Sequence, residues 1–223
     1  MEKYKGLIAL LKEDFELHGA RLNFMSRFLM AVIVVRTVSL STLASALNPL
    51  VFPESNLRRL ERFFKQVSLD QLNYARLMLT LLPVKSGYVL SLDRTNWSLG
   101  CCEINILMLG VCYKGIAFPL LWQRMNKKGN SNTRERLDLI DMLLQILPAS
   151  KIDALVADRE FIGKIWFRGL RQRKLSFVMR IKNNSRIGSK GRDTLASKRY
   201  RHLAKSETYV CPKRVWIYGL RLH

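Results

Sequence analysis

Gly87-Tyr-Val-Leu-Ser-Leu-Asp-Arg-Thr-Asn-Trp97 is the stretch whose reading decides the fold. Residues 88–92 have the apolar, β-branched and aromatic character of a buried strand. Ser86-Gly87 precedes them and a polar cluster follows, so Asp93 is expected at the strand's C-terminal end. An aspartate there either opens the turn into the next strand, as Asp often does, or carries chemistry. A second copy of the pattern favours chemistry: Lys151-Ile-Asp-Ala-Leu-Val-Ala-Asp-Arg159 is another short apolar run ending in Asp-Arg, and it presents Asp158.

Reading downstream from Asp93, a turn over 96–102 leads into apolar runs at 104–113 and 116–122, joined by Lys114-Gly115 as an antiparallel hairpin. The polar loop 126–131 follows. Asn132 with Glu135 three residues later makes a capping box for a helix reaching Leu147 and stopped by Pro148. A strand at 152–156, a helix at 162–172 and a strand at 177–181 complete the order β-β-β-α-β-α-β. Three antiparallel strands followed by alternating helix and strand is the topology of the RNase H-like fold, an α/β arrangement that would set Asp93 and Asp158 side by side.

Upstream, residues 1–86 have helical periodicity and read as an all-helical domain. Segments at 22–38, 39–47 and 70–82 are amphipathic. Between the last two, Pro53-Glu54-Ser55 opens a helix with Leu57, Leu60 and Phe64 expected inward and Arg58, Arg62 and Lys65 recurring at i, i+4 and i+7. The helices on either side of the 48–52 turn resemble a helix-turn-helix with its basic stripe on DNA; a solvated face on an ordinary bundle helix explains the same residues. The period changes near residue 87, which divides the chain into 1–86, an RNase H-like core at 87–182, and a basic, β-rich segment at 183–223. In that last segment a Ser/Gly-rich loop is expected at 188–191 and strands at 209–211 and 214–218.

Composition narrows the function. The net charge is +21 with a pI near 10.3, which calls for a polyanionic partner, nucleic acid being the commonest. Residues 1–87 hold 12 basic and 7 acidic side chains, residues 88–158 hold 8 and 7, and residues 159–223 hold 18 and 3. A near-neutral region carrying both aspartates thus adjoins a basic one, as suits an acidic metal site flanked by phosphate-binding surface; charge alone also fits an RNA-coating protein. The longest apolar run, 28–35, is far short of the roughly 20 residues a membrane span needs, and no secretory signal is evident at the start. The expectation is a cytoplasmic protein without membrane contact. Cys101, Cys102, Cys112 and Cys211 lack zinc-ligand spacing, and His18, His202 and His223 are scattered.

Two carboxylates at neighbouring strand ends suit oxygen-loving Mg²⁺, with Mn²⁺ as a substitute. Paired cations of that kind support phosphodiester cleavage or transfer, with Asp93 expected to bridge the ions and Asp158 to bind one of them.

Leu92-Asp-Arg-Thr-Asn-Trp97, Asn105-Ile-Leu-Met-Leu109, Asn126-Lys-Lys-Gly-Asn-Ser131 and Ala157-Asp-Arg-Glu-Phe-Ile-Gly163 follow one another in the order that resembles bacterial insertion-sequence DDE transposases of the cut-and-paste type. The resemblance covers about residues 20–185. It implies a helical region that binds the element's terminal inverted repeats and an RNase H-like domain acting with Mg²⁺ through two aspartates and a glutamate. Asp93 and Asp158 match the two aspartates. Arg58, Arg59, Arg62 and Lys65, together with Arg94, Arg159 and Lys182, are the residues expected at DNA, which comprises terminal repeats and target. A homodimer in the DNA-bound complex is implied by analogy.

The family's third carboxylate, in a Tyr-x2-Arg-x3-Glu-x6-Lys pattern, has no match here. After Asp158 the only acidic residues are Glu160, Asp193 and Glu207, and Glu160 reads as structural. The expectation is a transposase truncated inside its β-rich insertion, with impaired or no strand transfer. The alternative is a non-catalytic DNA-binding fragment able to inhibit a full-length enzyme.

Overall fold

The computed structural model describes residues 4–189 and 192–222, excepting the side chains of Leu99 and Ser189. It divides into two compact units, Met1–Leu81 and Leu82–His223.

The first unit is all helical: α1 (Lys5–Asp14), α2 (Gly19–Val35), α3 (Leu40–Leu47), α4 (Pro53–Gln66) and α5 (Gln71–Leu81). Leu11, Phe15, Leu22, Met25 and Leu77 form one buried cluster; Ala31, Leu43, Ala44, Leu47 and Leu60 form another. Each buried leucine contributes about 1.5–3 kcal/mol. Five residues separate α3 from α4, and the turn is tied by a buried side chain from the second helix. Asn56 Nδ2 donates to the carbonyls of Ala44 (2.9 Å) and Asn48 (3.0 Å). Two details of the expected α4 face change. Leu57 and Leu60 do pack inward, but Phe64 is 51% exposed, and Phe63 packs against the first cluster instead. Phe64 retains an edge-on contact with Phe28, with ring centroids 5.4 Å apart. Among the described residues no single helix is long and apolar enough to cross a membrane.

The second unit holds β1 (Tyr88–Leu99), β2 (Cys102–Tyr113), β3 (Ile116–Arg124), α6 (Thr133–Leu144), β4 (Ile152–Ala157), α7 (Lys164–Gln172) and β5 (Phe177–Met179). They form a five-stranded sheet of order β3-β2-β1-β4-β5, in which β1, β2 and β3 pair antiparallel while β4 runs parallel to β1 and β5 parallel to β4. This is the RNase H-like arrangement. The β2–β3 hairpin turns on Lys114 (φ 48°) and Gly115 (φ 79°), two left-handed residues that match the right-handed strand twist. Register shifts between Leu109 and Gly110, where a Cβ on Gly110 would lie 2.7 Å from the Phe118 carbonyl oxygen. The Asn132–Glu135 capping box starts α6 as expected. Leu90, Leu107, Leu109, Val111, Leu155, Phe161 and Trp166 are all fully buried.

The expected strand end at Leu92 is corrected. β1 continues to Leu99, and the expected 96–102 turn shrinks to Gly100-Cys101, because the β2 ladder extends from Val89↔Cys112 to Leu99↔Cys102. Only the parallel ladder to β4 stops early, its last pair being Leu92↔Ala157.

Downstream, β6 (Arg186–Ser189), β7 (Arg192–Leu195), the short α8 (Ala196–Arg199), β8 (Val215–Ile217) and β9 (Leu220–Leu222) build a second sheet of order β7-β6-β8-β9. Gly188 and Ser189 belong to β6 rather than to the expected loop; the rest of that loop, Lys190 and Gly191, lies outside the described residues, as do Met1, Glu2, Lys3 and His223. Residues 209–211 are not a strand, since the backbone there joins no ladder. Ile187, Ala196 and Ile217 form a small core under this sheet.

Candidate active site beyond the last rung between β1 and β4

Asp93 and Asp158 are the first residues beyond the last parallel pair, Leu92↔Ala157. Neighbouring strands run about 4.8 Å apart, so the register brings the two carboxylates onto adjoining positions although 65 residues separate them in sequence. Both are exposed. They border an open cleft of about 420 Å³ lined by Ser91, Leu92, Asp93, Val156, Ala157, Asp158 and Arg180. Arg180 Nη1 lies 3.8 Å from Asp158 Oδ1, and its backbone N–H donates to the Ala157 carbonyl (3.1 Å). Asp93 Oδ1 accepts the Arg94 backbone N–H at 2.7 Å.

Side chains alternate along a strand, so Asp93 and Arg94 project to opposite faces of the sheet. Arg94 is engaged on its own face. Nε donates to Glu160 Oε1 (3.1 Å) and Nη2 to Glu160 Oε2 (3.2 Å), while Nη1 reaches Asn105 Oδ1 (3.4 Å) and Nη2 also Asn130 Oδ1 (3.3 Å). Arg94, expected at DNA, has a shielded guanidinium already engaged by Glu160, Asn105 and Asn130, the geometry of a brace.

Asn105 extends the brace into the 126–131 loop, because its Nδ2 donates to the carbonyls of Lys127 (2.8 Å) and Gly129 (3.0 Å). Arg136, buried on α6, donates from Nε to Ser131 Oγ (2.8 Å) and from Nη2 to the Ser131 and Glu160 carbonyls. Its guanidinium also lies 4.9 Å from the centre of the buried Phe161 ring. Burial lowers the Arg136 pKa from its usual value, opposed by the charges of Glu160 and Glu135. Burial pushes Glu135 the other way, but hydrogen bonds from Lys127 and the Asn132 amide, with the charges of Lys127 and Arg136, hold its carboxyl below the usual range. The four stretches Asp93-Arg94, Asn105, 126–131 and 158–161 thus form one hydrogen-bonded cluster behind the cleft.

The other expected residues are placed as follows. Arg159 and Lys182 are exposed on the second unit, and Arg58, Arg59, Arg62 and Lys65 are exposed on α4. Arg59 and Arg62 join Arg21 around a shallow groove of about 330 Å³ floored by Phe24 and Phe63. Sequence reading missed Arg180, Arg136 and Arg21. Arg180 could have been suspected as the first residue past the third parallel strand; nothing local distinguishes Arg136 from Arg134, the other basic residue of α6. Among the described residues no three His, Cys, Asp or Glu side chains gather closely enough to hold a metal ion, so Glu160 does not complete a three-carboxylate set with the aspartates.

Residues 89–217, more than half of the chain, match the family profile described as the transposase DDE domain. No curated protein matches. Among solved structures, the chain resembles a cryo-EM structure of the simian T-cell lymphotropic virus intasome in complex with PP2A regulatory subunit B56 gamma, at 6% identity and a TM-score of 0.35, covering 64% of this chain and 52% of that one. It also resembles the large terminase of a thermophilic bacteriophage at 14% identity and a TM-score of 0.29, covering 44% of this chain and 23% of that one. The chain spans about half the length of the first and about a quarter of the second. Both aspartates fall within the profile's span, on a sheet whose strand order is that of an RNase H-like domain, and the chain belongs to the DDE-domain transposase family.

Proposed function

We propose that this chain is the DNA-processing part of an insertion-sequence transposase, with Asp93 and Asp158 as its catalytic carboxylates. The observation that carries the reading is their shared position, one residue past the last β1–β4 rung, at an open cleft. Two exposed carboxylates from adjoining strands supply hard oxygen donors and leave room for water, a donor set that fits Mg²⁺ or Mn²⁺. Such an ion, when bound, supplies charge stabilisation for phosphodiester cleavage. The protein's own part is to place both carboxylates at the rim of the cleft, to aim them through the β1–β4 register, and to offer Arg180 beside Asp158 for a phosphate.

The α4 arginines Arg58, Arg59 and Arg62, with Lys65, are proposed to grip terminal-repeat DNA, and Arg159 and Lys182 to contact DNA near the cleft. Pairing of two element ends implies a homodimer on DNA. A bacterial cytoplasm is the setting this function would need.

A second reading is favoured by a specific observation. Among the described residues no third carboxylate joins the pair: Glu160 is held by Arg94, Asp193 lies in β7, and Glu207 accepts the Ala204 backbone N–H. On that reading the chain binds terminal-repeat DNA without cutting it and can inhibit a complete transposase.

Incubating the chain with inverted-repeat DNA and Mg²⁺ or Mn²⁺ separates the two. Nicking that Asp93→Asn abolishes supports the catalytic reading; nicking that survives Asp93→Asn overturns its site. Salt-dependent, sequence-selective binding without nicking supports the second.

A further inference from the structure

We infer that the Arg94–Glu160 ion pair is a clamp that sets the spacing of Asp93 and Asp158 and thereby the affinity of the site for a divalent cation; this deepens the cation-site reading above and rests on it. The backbone itself stops holding the aspartates together at Leu92↔Ala157. Beyond that rung β1 continues beside β2, whereas the segment after β4 leaves the sheet at Asp158 in a turn closed by the Phe161 N–H on the Asp158 carbonyl (3.0 Å). Arg94 and Glu160 bridge that divergence. One sits one residue past Asp93, the other two residues past Asp158, and they meet through two parallel N–H···O bonds of 3.1 and 3.2 Å.

A guanidinium fork on a carboxylate fixes distance and angle together, which a single-point ammonium contact does not. Each half is anchored again. Arg94 is held by Asn105 and Asn130, and the Glu160 carbonyl accepts from Arg136 Nη2 (3.4 Å). The pair is shielded, with the side chains 15% and 24% exposed, so the bond is less weakened by solvent than a surface bridge. Arg94 and Glu160 are positioning residues on this view.

The clamp and simple electrostatics predict opposite signs for one substitution. Removing the Arg94 charge beside a cation site should tighten cation binding by Coulomb's law. Loss of the clamp should weaken it, by about ten- to hundredfold, the usual cost of losing a group that orients a ligand.

The test is Mn²⁺ binding to the intact chain, followed by loss of the free-ion electron paramagnetic resonance signal, with each variant's fold checked by its thermal melt. Asp93→Asn should abolish the site. Arg94→Gln and Glu160→Gln should each weaken binding about ten- to hundredfold, with Arg94→Lys, which keeps the charge but not the fork, in between. Should Arg94→Gln unfold, the Arg94→Lys comparison decides the matter alone. Affinity unchanged in Arg94→Lys and Glu160→Gln, with only a lower melting temperature, overturns the clamp. Tighter binding in Arg94→Gln with weaker binding in Glu160→Gln also overturns it, by making Glu160 a ligand. No saturable binding by the parent chain, or binding that survives Asp93→Asn, overturns the cation site itself, a failure distinct from loss of the clamp alone.

Discussion

The arginines of α4 and those behind the β1–β4 cleft are the same residue used in two ways. Arg58, Arg59 and Arg62 stand exposed on a helix face and, among the described residues, form no ion pair. Arg94 and Arg136 are shielded from solvent and turned inward, bonded to Glu160, Asn105, Asn130 and Ser131. A net charge of +21 counts both sets alike, yet only exposed, unpaired guanidinium groups can exchange counterions with a phosphate backbone. The internal set gives the chain its shape around the cleft, and the external set is the one proposed to meet DNA.

The sharpest break in this comparison comes from Asp158→Asn. If the cleft does chemistry, cation-dependent DNA nicking by the chain should fall by roughly a thousandfold or more, the kinetic equivalent of several kcal/mol of lost charge stabilisation. DNA binding through the exposed set should hardly change, as a filter-binding titration would reveal.

Next in size is Arg136→Ala. It removes a buried cation, its bonds to Ser131 and the Glu160 carbonyl, and its stacking on the Phe161 ring. Urea denaturation should report a loss of about 3 kcal/mol. A loss under about 0.5 kcal/mol, the range for surface substitutions, would place Arg136 with the external set.

For the exposed arginines the pattern should invert. Arg59→Ala combined with Arg62→Ala should leave the denaturation midpoint nearly unmoved. The slope of log K against log[salt] for DNA should fall by about 0.9 for each phosphate that is no longer neutralised. An unchanged slope would mean that this face of α4 is merely solvated.

The smallest effect tests an arginine of intermediate exposure. Arg173 on the C-terminal side of α7 grips Asp141 of α6, and its hydrogen bonds, with the charges of Arg173 and Arg134, hold the Asp141 carboxyl below its ordinary range against the pull of burial. A carboxyl depressed in the folded chain stabilises fully above its unfolded pKa, and that contribution disappears as pH falls through the lower folded value. Asp141→Asn should therefore cost about 0.5 kcal/mol at neutral pH. The gap from the parent should close as the pH drops below about 4.

Much of the fold was legible because its signals are local. The change from helical to strand period near residue 87, the Lys114-Gly115 turn and the Asn132–Glu135 capping box each involve residues close in sequence. The Asp-Arg repeat likewise pointed to Asp93 and Asp158. The end of β1 was not legible. Leu92 is the last residue paired on both sides, but β1 runs seven residues further on β2 alone, where polar side chains such as Thr95, Asn96 and Ser98 sit on a strand exposed to solvent. Phe64 was misread for a similar reason: adjacent positions 63 and 64 both satisfy the helical spacing loosely, and only the packing of α4 against its neighbours selects Phe63.

By itself, the sequence determined the order of elements through β5, the two aspartates of the Asp-Arg repeat and the surplus of positive charge, since each follows from composition or from spacing within a few residues. Tertiary structure alone decided that Asp93 and Asp158 adjoin at the last rung of a parallel ladder, and that Arg94 faces away from them to grip Glu160, 66 residues distant. Strand register and the meeting of side chains across a sheet depend on how the whole chain closes its core, and that long-range condition decides which of two identical charges is buried as a brace and which is left exposed to solvent.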